Sequence, residues 1–205
     1  DFIKNLFMTN THNYIMFFTN TGRVYKLKCY EIPEASRTAR GMAIINLLQL
    51  QPGEKITTMV HFDDFDEDRN LIMATKKGTI KKTPLSAYMN IRKTGIQAIT
   101  LRDDDELIEV KVSDCEQNVL MLTKKGQAIK FAEKDIRETG RSAMGVKGIT
   151  LRNGDEVVAM QLETQGEYIT FVSANGYGKR NRFTDFKLQN RGGKGVKCYN
   201  ITDKT

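Results

Sequence analysis

Short runs of apolar residues recur along the chain, and each run leads into a tight turn at a glycine followed by alternating basic and apolar residues. The runs occupy residues 14–18, 71–74, 119–122 and 168–172, and the glycines after them are Gly22, Gly78, Gly126 and Gly176. Runs this short and this apolar are typical of strands at the centre of a sheet covered on both faces. We therefore expect the following side chains to be buried: Met16, Phe17, Ile72, Met73, Leu120, Met121, Ile169 and Phe171.

The spacing of the glycines indicates a repeat. Successive turn glycines are 56, 48 and 50 residues apart, and a second series, Gly41, Gly95, Gly145 and Gly195, has spacings of 54, 50 and 50. Apolar residues stand one, four and six positions after each glycine of the second series, and positions four and six share one face of a predicted strand. A period near 50 residues built from strands predicts a propeller or a solenoid.

A turn rich in acidic residues and a further apolar strand complete each unit. In the second and third units the turns occupy residues 103–106 and 153–156, and strands follow at 107–112 and 157–162. Four strands per unit predict an all-β fold, a propeller-like array of four-stranded blades. We treat residues 1–205 as a single domain with units 1–60, 61–112, 113–162 and 163–205, the last of which stops before its final strand.

Charge is segregated within each unit. Lysines and arginines gather at the glycine turn and in the connector before the second glycine, where Arg37, Arg141 and Arg191 stand four positions ahead of it. Acidic residues gather in the other turn, which we expect at the opposite edge of each blade. The chain has 32 Lys and Arg against 25 Asp and Glu, a net charge of +7. If the units surround an axis, their basic ends form a continuous cationic band that predicts a polyanionic partner.

We interpret this band as a surface for duplex DNA. One lysine pair beside a hairpin has an ordinary explanation, since lysine keeps exposed turns soluble, but basic residues in register over four units match regularly spaced phosphates. No cluster of aromatic residues with Asn or Gln predicts base recognition, so we expect contact independent of sequence. The predicted DNA-binding residues are Lys26, Lys28, Arg37, Arg40, Lys76, Lys77, Lys81, Lys82, Arg92, Lys93, Lys124, Lys125, Lys130, Arg141, Lys147, Lys179, Arg180, Arg182, Arg191 and Lys194.

The stretch 189–195, Gln-Asn-Arg-Gly-Gly-Lys-Gly, has two interpretations. Its glycines could permit a tight crossing between blades. Alternatively, they could let a compact basic loop bring its backbone close to a phosphate.

No pattern in the chain predicts catalysis or a metal site. His12 and His61 lack Cys or acidic residues at ligand spacing. The glycine turns lack the GxxxxGK[ST] pattern and the following helix of a phosphate loop, and hairpin geometry explains them. Cys29, Cys115 and Cys198 form no close pair and are expected to be reduced thiols of a cytosolic protein. No apolar run approaches the ~20 residues needed to cross a bilayer, so we expect no membrane partner.

The chain resembles a known family, the C-terminal domain of the A subunit of DNA gyrase, a bacterial type IIA topoisomerase. The similarity is strongest over residues 11–15, 17–25, 30–35 and 45–48, together with Arg40-Gly41. It continues in Asn-Gly-Tyr-Gly-Lys-Arg at 175–180, so that it extends over essentially all 205 residues.

The resemblance implies a β-pinwheel, a propeller-like disc of six four-stranded blades that exchange strands with their neighbours, of which about four are present here. It implies that duplex DNA wraps around a basic perimeter in support of negative supercoiling by the ATP-dependent enzyme. It also implies that catalytic residues, ATP and magnesium belong to other parts of the holoenzyme, so that no cofactor is expected in this fragment. The implied partners are double-stranded DNA, the gyrase B subunit, and the rest of the gyrase A subunit, in the bacterial cytoplasm with the nucleoid.

The family's box motif, Gln-Arg-Arg-Gly-Gly-Lys-Gly, lies just before the first blade. Residues 189–195 differ from it at Asn190 and lie in the fourth unit, so we interpret them as an echo of the box and expect the box itself upstream of Asp1 in a longer protein. Two alternatives remain open. One is the related A-type subunit of topoisomerase IV, which shares the blades but lacks the box, and the other is a propeller that serves as a platform for protein interactions.

Overall fold

The computed structural model describes residues 5–64, 68–114 and 116–205. Within these ranges there is no α-helix, and six short 3₁₀ helices lie at Cys29–Glu31, Ile44–Asn46, Leu85–Tyr88, Glu133–Asp135, Glu163–Gln165 and Phe183–Asp185. None of them is long and apolar enough to cross a membrane. The strands are β1 (Tyr14–Thr19), β2 (Arg23–Lys28), β3 (Ile56–Phe62), β4 (Asn70–Thr75), β5 (Thr79–Pro84), β6 (Ile96–Gln97), β7 (Leu107–Ser113), β8 (Asn118–Thr123), β9 (Gln127–Ala132), β10 (Val146–Lys147), β11 (Val157–Leu162), β12 (Tyr168–Val172), β13 (Gly178–Arg182) and β14 (Val196–Lys197).

Three sheets have four antiparallel strands each, in the orders β3-β1-β2-β6, β7-β4-β5-β10 and β11-β8-β9-β14. The described residues of the fourth sheet form only the hairpin β12-β13. The predicted all-β fold of four-stranded blades is therefore confirmed. The apolar runs before the glycine turns also lie where they were expected, as the inner strands β1, β4 and β8.

Neighbouring units exchange a strand. β6 comes from the second unit but pairs with β2 of the first sheet, with Val24 opposite Ile96. β10 of the third unit pairs in the same way with β5, and β14 of the fourth unit pairs with β9. Each sheet is therefore closed on one side by the next unit, which agrees with the exchange implied by the family resemblance.

The strand predicted after each second glycine is shorter than expected. β6, β10 and β14 contain two residues each, and the first unit has the 3₁₀ helix Ile44–Asn46 at this place instead. The backbone nitrogens after the exchanged strands leave the ladder and bind the turn glycines, as when Gly148 and Ile149 donate to the carbonyl oxygen of Gly78 at 2.8 and 3.2 Å. These bonds satisfy the backbone without a longer strand.

The core lies between the sheets. Alternate residues of a central strand point to opposite faces, so Leu71 and Met73 of β4 pack toward the first sheet with Met16, whereas Ile72 packs toward the third sheet with Met121. Burial of one such side chain contributes about 1.5–3 kcal/mol. Stability is therefore distributed over the interfaces between blades.

Two of the eight side chains expected in the core are only half-buried. Ile169 and Phe171 lie on β12, where one face packs with Phe186 and Cys198 of the same cluster. The expectation of full burial is wrong for this pair because no described strand pairs with the free edge of β12. The other six side chains are buried as predicted.

Candidate nucleic-acid interface

The exchanged strands lie at the outer side of the blades. β3 packs against β7, and β7 against β11, so these edge strands meet at the centre of the array. β6, β10 and β14 form the opposite edge of each sheet. We call the surface formed by these three strands and the connectors before them (residues 86–95, 133–145 and 183–195) the outer edge.

The connectors dock along the preceding blade. Lys82 forms a parallel bridge with Glu138, and Lys130 forms one with Leu188. The backbone nitrogen of Thr139 donates to the carbonyl oxygen of Lys82 at 2.9 Å. Each connector therefore covers the β-strand that leaves the glycine turn.

This covering buries three lysines that were predicted to face solvent. Lys81, Lys82 and Lys130 are 1%, 9% and 7% exposed. The Lys130 ammonium lies 3.2 Å from the carbonyl oxygen of Phe183 in the fourth connector. The expected surface position of these lysines is wrong because the connector of the next unit lies over them.

Lys81 makes two short hydrogen bonds in this interior. Its ammonium nitrogen donates to the carbonyl oxygens of Ala98 at 2.7 Å and Arg141 at 2.5 Å. The hydroxyl of Tyr88 donates to the same Ala98 oxygen at 2.9 Å. Burial, assisted by the charge of Arg141, lowers the pKa of Lys81 to about 8.

Two further lysines of the predicted DNA-binding set, Lys26 and Lys28 on β2, lie against a carbonyl oxygen and an aromatic ring. Half-buried Lys26 donates to the carbonyl oxygen of Met89 at 2.5 Å, and burial lowers its pKa. The ammonium of Lys28 lies 5.2 Å from the ring centroid of Tyr14. Such contacts leave part of each side chain covered.

In the fourth unit, the corresponding cations remain exposed. Arg180 lies 4.7 Å and Arg182 5.8 Å from the ring centroid of Tyr168. The ammonium of Lys179 donates to the carbonyl oxygen of Cys198 at 2.9 Å. These residues form a small cationic and aromatic surface on the last hairpin.

The lysine pairs of the glycine turns lie beside acidic residues. The ammonium of Lys76 is 3.8 Å from Glu106 and 3.7 Å from Glu156, and that of Lys124 is 3.3 Å from Glu156. The backbone nitrogen of Lys77 donates to Asp105 at 2.9 Å.

The hydrogen bond between Lys77 and Asp105 has an equivalent in the third unit, where the backbone nitrogen of Lys125 donates to Asp155 at 2.9 Å. The expectation that acidic and basic turns lie at opposite edges is therefore wrong. β7 runs antiparallel to β4, so the acidic turn before β7 returns to the glycine turn after β4. Of these turn lysines, Lys76 and Lys124 form ion pairs with glutamates. The ammonium groups of Lys77 and Lys125 donate to backbone carbonyl oxygens instead.

The outer edge carries cations of a different kind. Arg92, Lys93, Arg141, Lys147 and Lys194 are exposed, and among the described residues their side chains form no ion pair with Asp or Glu. Arg37 and Arg40 are exposed in the connector of the first unit in the same way. Their charge therefore faces solvent uncompensated.

Arg92 and Arg141 line a common groove of about 890 Å³ between the second and third connectors. Polar groups of Asn90, Thr94 and Gln97 complete its lining. The groove is open to solvent and lies at the outer edge. Its chemistry, two guanidinium groups with hydroxyl and amide donors, suits a phosphodiester backbone.

The loop at 191–195 is a tight crossing between blades. A side chain at Gly195 would bring its Cβ within 2.5 Å of the carbonyl oxygen of Ala128. The backbone nitrogen of Gly192 donates to Gly148 at 2.8 Å, and the guanidinium of Arg191 donates to the carbonyl oxygens of Asp135 and Lys147 at 2.8 and 2.7 Å. The geometry thus favours the first interpretation of this stretch, and Arg191 secures the crossing.

Besides exposed Lys134, three cations of the outer edge that share repeated positions were missed by the sequence analysis. Arg137 and Lys187 are exposed at the same position of the third and fourth connectors, eight residues before the second glycine. Lys197 of β14 is exposed at the position of Lys147 on β10. All three stand at repeated positions relative to the second glycine series, eight residues before it or two residues after it.

The remaining candidate chemistry lies apart from this edge. His12 is exposed in a turn, and exposed His61 stacks on Phe7 with ring centroids 5.2 Å apart. Cys29 and Cys198 are free thiols, whereas Cys115 lies outside the described residues. Within the part of the chain that the structure describes, no group of three His, Cys, Asp or Glu residues could hold a metal ion.

Comparison with known families shows a match over four consecutive segments. The model of the DNA gyrase C-terminal domain, a beta-propeller, matches residues 13–62, 69–114, 117–162 and 167–204. The sequence is 57% identical over 205 residues to the A subunit of DNA gyrase from Clostridium acetobutylicum, and the match covers 100% of this chain and 25% of that protein. It is 44% identical over 207 residues to the A subunit of DNA gyrase from Staphylococcus aureus, with 100% of this chain and 23% of the relative covered. The chain thus spans about a quarter of the length of these curated relatives.

Solved structures show the same architecture. A crystal structure of the C-terminal domain of DNA topoisomerase IV superimposes with a TM-score of 0.84 at 29% identity, over 92% of this chain and 59% of that one. A structure of a DNA gyrase A C-terminal domain superimposes with a TM-score of 0.77 at 31% identity, over 92% of this chain and 60% of that one.

Proposed function

The chain belongs to the family of DNA gyrase C-terminal domains, and on that premise we propose that it binds duplex DNA without sequence preference and wraps it along the outer edge. In this proposal the wrapped DNA serves negative supercoiling by the ATP-dependent gyrase. The outer edge supplies charge and curvature. The chemistry of strand cleavage and ATP hydrolysis belongs to other parts of the enzyme.

One observation carries the proposal. Within the described residues, exposed cations without acidic partners recur on successive connectors and exchanged strands, among them Arg92, Arg141 and Lys147. In the glycine turns, by contrast, Lys76 and Lys124 are paired with Glu106 or Glu156. A chain of phosphates that follows the outer edge would meet uncompensated positive charge at each blade. Neutralisation of these phosphates releases counterions, which is the main source of sequence-independent affinity.

The bending of DNA that wrapping requires opposes this binding. Bending a site of 20–30 base pairs costs on the order of 1–6 kcal/mol, and this cost must be offset by contacts that continue around the edge. A repeat at a constant spacing suits that task because each blade offers an equivalent contact as the duplex turns. DNA that bends easily should therefore bind more tightly than stiff DNA.

The proposal extends to the whole protein. The partners are double-stranded DNA, the gyrase B subunit, and the remainder of the gyrase A subunit, while the location is the bacterial cytoplasm with the nucleoid. The fragment needs no cofactor of its own for this role, since wrapping requires only cations in fixed positions. ATP and magnesium would act in the other parts of the holoenzyme.

A salt titration of DNA affinity tests the DNA path. The logarithm of the binding constant should fall with the logarithm of salt concentration by about 0.9 per phosphate neutralised. We expect a double variant of the outer edge, R92A/R141A, to flatten this slope by roughly one to two. A matched double variant of the ion-paired turn lysines, K76A/K124A, removes the same formal charge and should flatten it less.

Two outcomes would contradict the proposal. Equal losses in both double variants would show that the outer edge is not the DNA path. Binding that is insensitive to salt, or binding of a protein in place of DNA, would favour the interaction platform instead.

A second candidate function rests on the structural likeness to the C-terminal domain of DNA topoisomerase IV, at a TM-score of 0.84. Both candidates involve DNA contact through the same architecture. Negative supercoiling of relaxed plasmid by the full-length protein with its partner subunit would support gyrase, and ATP-dependent relaxation without supercoiling would support topoisomerase IV.

A further inference from the structure

We infer that Lys81 is a positioning residue that holds the third connector, and the guanidinium of Arg141 on it, in the geometry of the outer edge. The inference rests on the proposed function. In contrast to the sequence-based expectation, Lys81 does not itself touch DNA, because it is buried beneath the connector. The contact residue in this scheme is Arg141.

The hydrogen bonds of Lys81 join two units across a blade boundary. The ammonium lies between Ala98, which follows the exchanged strand β6, and Arg141 of the third connector, at 2.7 and 2.5 Å. The Arg141 oxygen belongs to a connector of the outer edge, and Ala98 directly follows strand β6 of that edge. One buried cation therefore fixes the relative position of two neighbouring parts of the proposed DNA path.

The groove between the second and third connectors lies beside these hydrogen bonds. Arg141 forms one wall, and Gln97, adjacent to Ala98, belongs to the lining as well. Gly145, at the end of the connector, packs so closely on β5 that an added Cβ would lie 3.0 Å from the Cβ of Lys81. The connector is thus anchored at its end by close backbone packing, and at Arg141 by Lys81.

Few groups around Lys81 titrate or carry charge. Arg141 faces it from the third connector, and Tyr88 faces it from the 3₁₀ helix Leu85–Tyr88 through the shared Ala98 oxygen. Its register partner on β4 is Met73. Burial raises the pKa of Tyr88, and a guanidinium stays charged at any pH used for binding. Of these three groups, Lys81 is therefore the one whose charge changes near pH 8.

A double-mutant cycle provides the first test. DNA affinity is measured at pH 7 for the 205-residue chain and for Lys81→Met, Arg141→Ala and the combined variant. Each single change should weaken binding roughly threefold to tenfold, and the combined variant should bind no more weakly than Arg141→Ala alone, because residues that act as a unit are not additive. Losses that multiply in the combined variant would show an independent DNA contact and overturn the inference.

Lys130→Met is the matched control for this cycle. Lys130 is also buried and also bonds a connector carbonyl, that of Phe183, but it lies in a different blade interface from Arg141. Its effect should multiply with that of Arg141→Ala. Circular dichroism and thermal unfolding establish that each variant is folded, and Lys81→Gln, which keeps an amide donor, replaces Lys81→Met if the latter unfolds.

A pH series provides a second test that needs no change in the core. Between pH 7 and pH 9 the intact chain should lose roughly threefold or more of its DNA affinity, since a neutral amine holds the two carbonyl oxygens less strongly than an ammonium. Arg141→Ala carries the same titrating lysines but lacks the guanidinium that Lys81 positions, so its affinity should change less over this range.

The outcomes separate the inference from the proposed function. If the intact chain binds DNA with the expected salt slope but Arg141→Ala shows the same pH loss, the inference alone fails. If the intact chain shows no salt-dependent DNA binding, the proposed function fails, and the positioning of a DNA-contacting Arg141 by Lys81 fails with it.

Discussion

The backbone nitrogen of Lys77 donates a 2.9 Å hydrogen bond to the carboxylate of Asp105. The same carboxylate oxygen accepts from the backbone nitrogen of Glu106 at 2.9 Å, and Asp105 is 9% exposed. A glycine turn and an acidic turn that are 28 residues apart in sequence therefore form one structure. Acidic residues of this type stabilise the turn that presents the lysines, rather than occupying a distant edge.

Replacement of Asp105 by alanine should lower the free energy of unfolding by about 1–2 kcal/mol, because two partly buried backbone donors lose their acceptor. Urea denaturation measures the change. Asp103→Ala is the control, since the Asp103 side chain is exposed and only its backbone oxygen is used by Lys77. Equal effects of the two substitutions would contradict the assignment.

Gly126 and Gly176 distinguish two effects of adding a side chain to the glycine turn, namely backbone strain from the positive φ and steric clash with a neighbouring segment. Both have a positive φ, +79° and +81°, but an added Cβ at Gly126 would lie 2.2 Å from the carbonyl oxygen of Tyr199, whereas nothing lies within 4 Å at Gly176. We expect Gly176→Ala to cost about 1 kcal/mol for the backbone conformation alone. Gly126→Ala should cost at least about 2 kcal/mol more, since backbone must move.

Thermal unfolding of both glycine variants checks this prediction. A matching loss in the two variants would mean that the exchanged segment after β14 yields to the new methyl group. The closure of the third sheet by the fourth unit would then contribute little to stability.

The free energy of unfolding should rise with pH between about pH 8 and pH 9.5. Burial lowers the pKa of Lys81 from 10.5 to about 8, so over this range the unfolded chain binds a proton that the folded chain has lost, and stability increases with pH. Over this window of about 1.5 pH units, the rise is at most about 2 kcal/mol. Lys81→Met should abolish most of it, and an unchanged pH slope in that variant would refute the assignment to Lys81.

Glu109 should destabilise the fold at neutral pH. Burial raises its pKa, although Lys111 at 3.8 Å and the hydroxyl of Thr58 at 3.1 Å oppose this. For a carboxyl with a raised pKa, the associated stability is present below the unfolded pKa and is lost as pH rises through the folded value. Glu109→Gln should therefore raise stability at pH 7 by up to about 1 kcal/mol.

Denaturation at pH 4 and pH 7 tests this sign. The gain from Glu109→Gln should be smaller at pH 4, where the native carboxyl is protonated. Glu106→Gln is the control, because its exposed pair with Lys76 at 3.8 Å contributes little to stability.

The repeat and its central strands follow from the amino-acid sequence alone. Glycines at a period near 50 residues mark the tight turns, and uninterrupted apolar runs such as 71–74 must be covered on both faces, so the all-β blades and most of the buried residues follow from local pattern. The pattern also located the exposed cations Arg92, Arg141 and Lys147, because the connectors repeat in register.

Which basic residues remain on the surface depends on how neighbouring units pack. The sequence around Lys81 resembles that around Lys77, yet a connector from the next unit lies over Lys81 and leaves Lys77 exposed. The adjacency of Asp105 and Lys77 likewise arises from the antiparallel pairing of β7 with β4. Burial and pairing of this kind depend on which segments meet in space. The repeat pattern along the chain shows which residues each unit contains, but it does not show which segment of a neighbouring unit covers them.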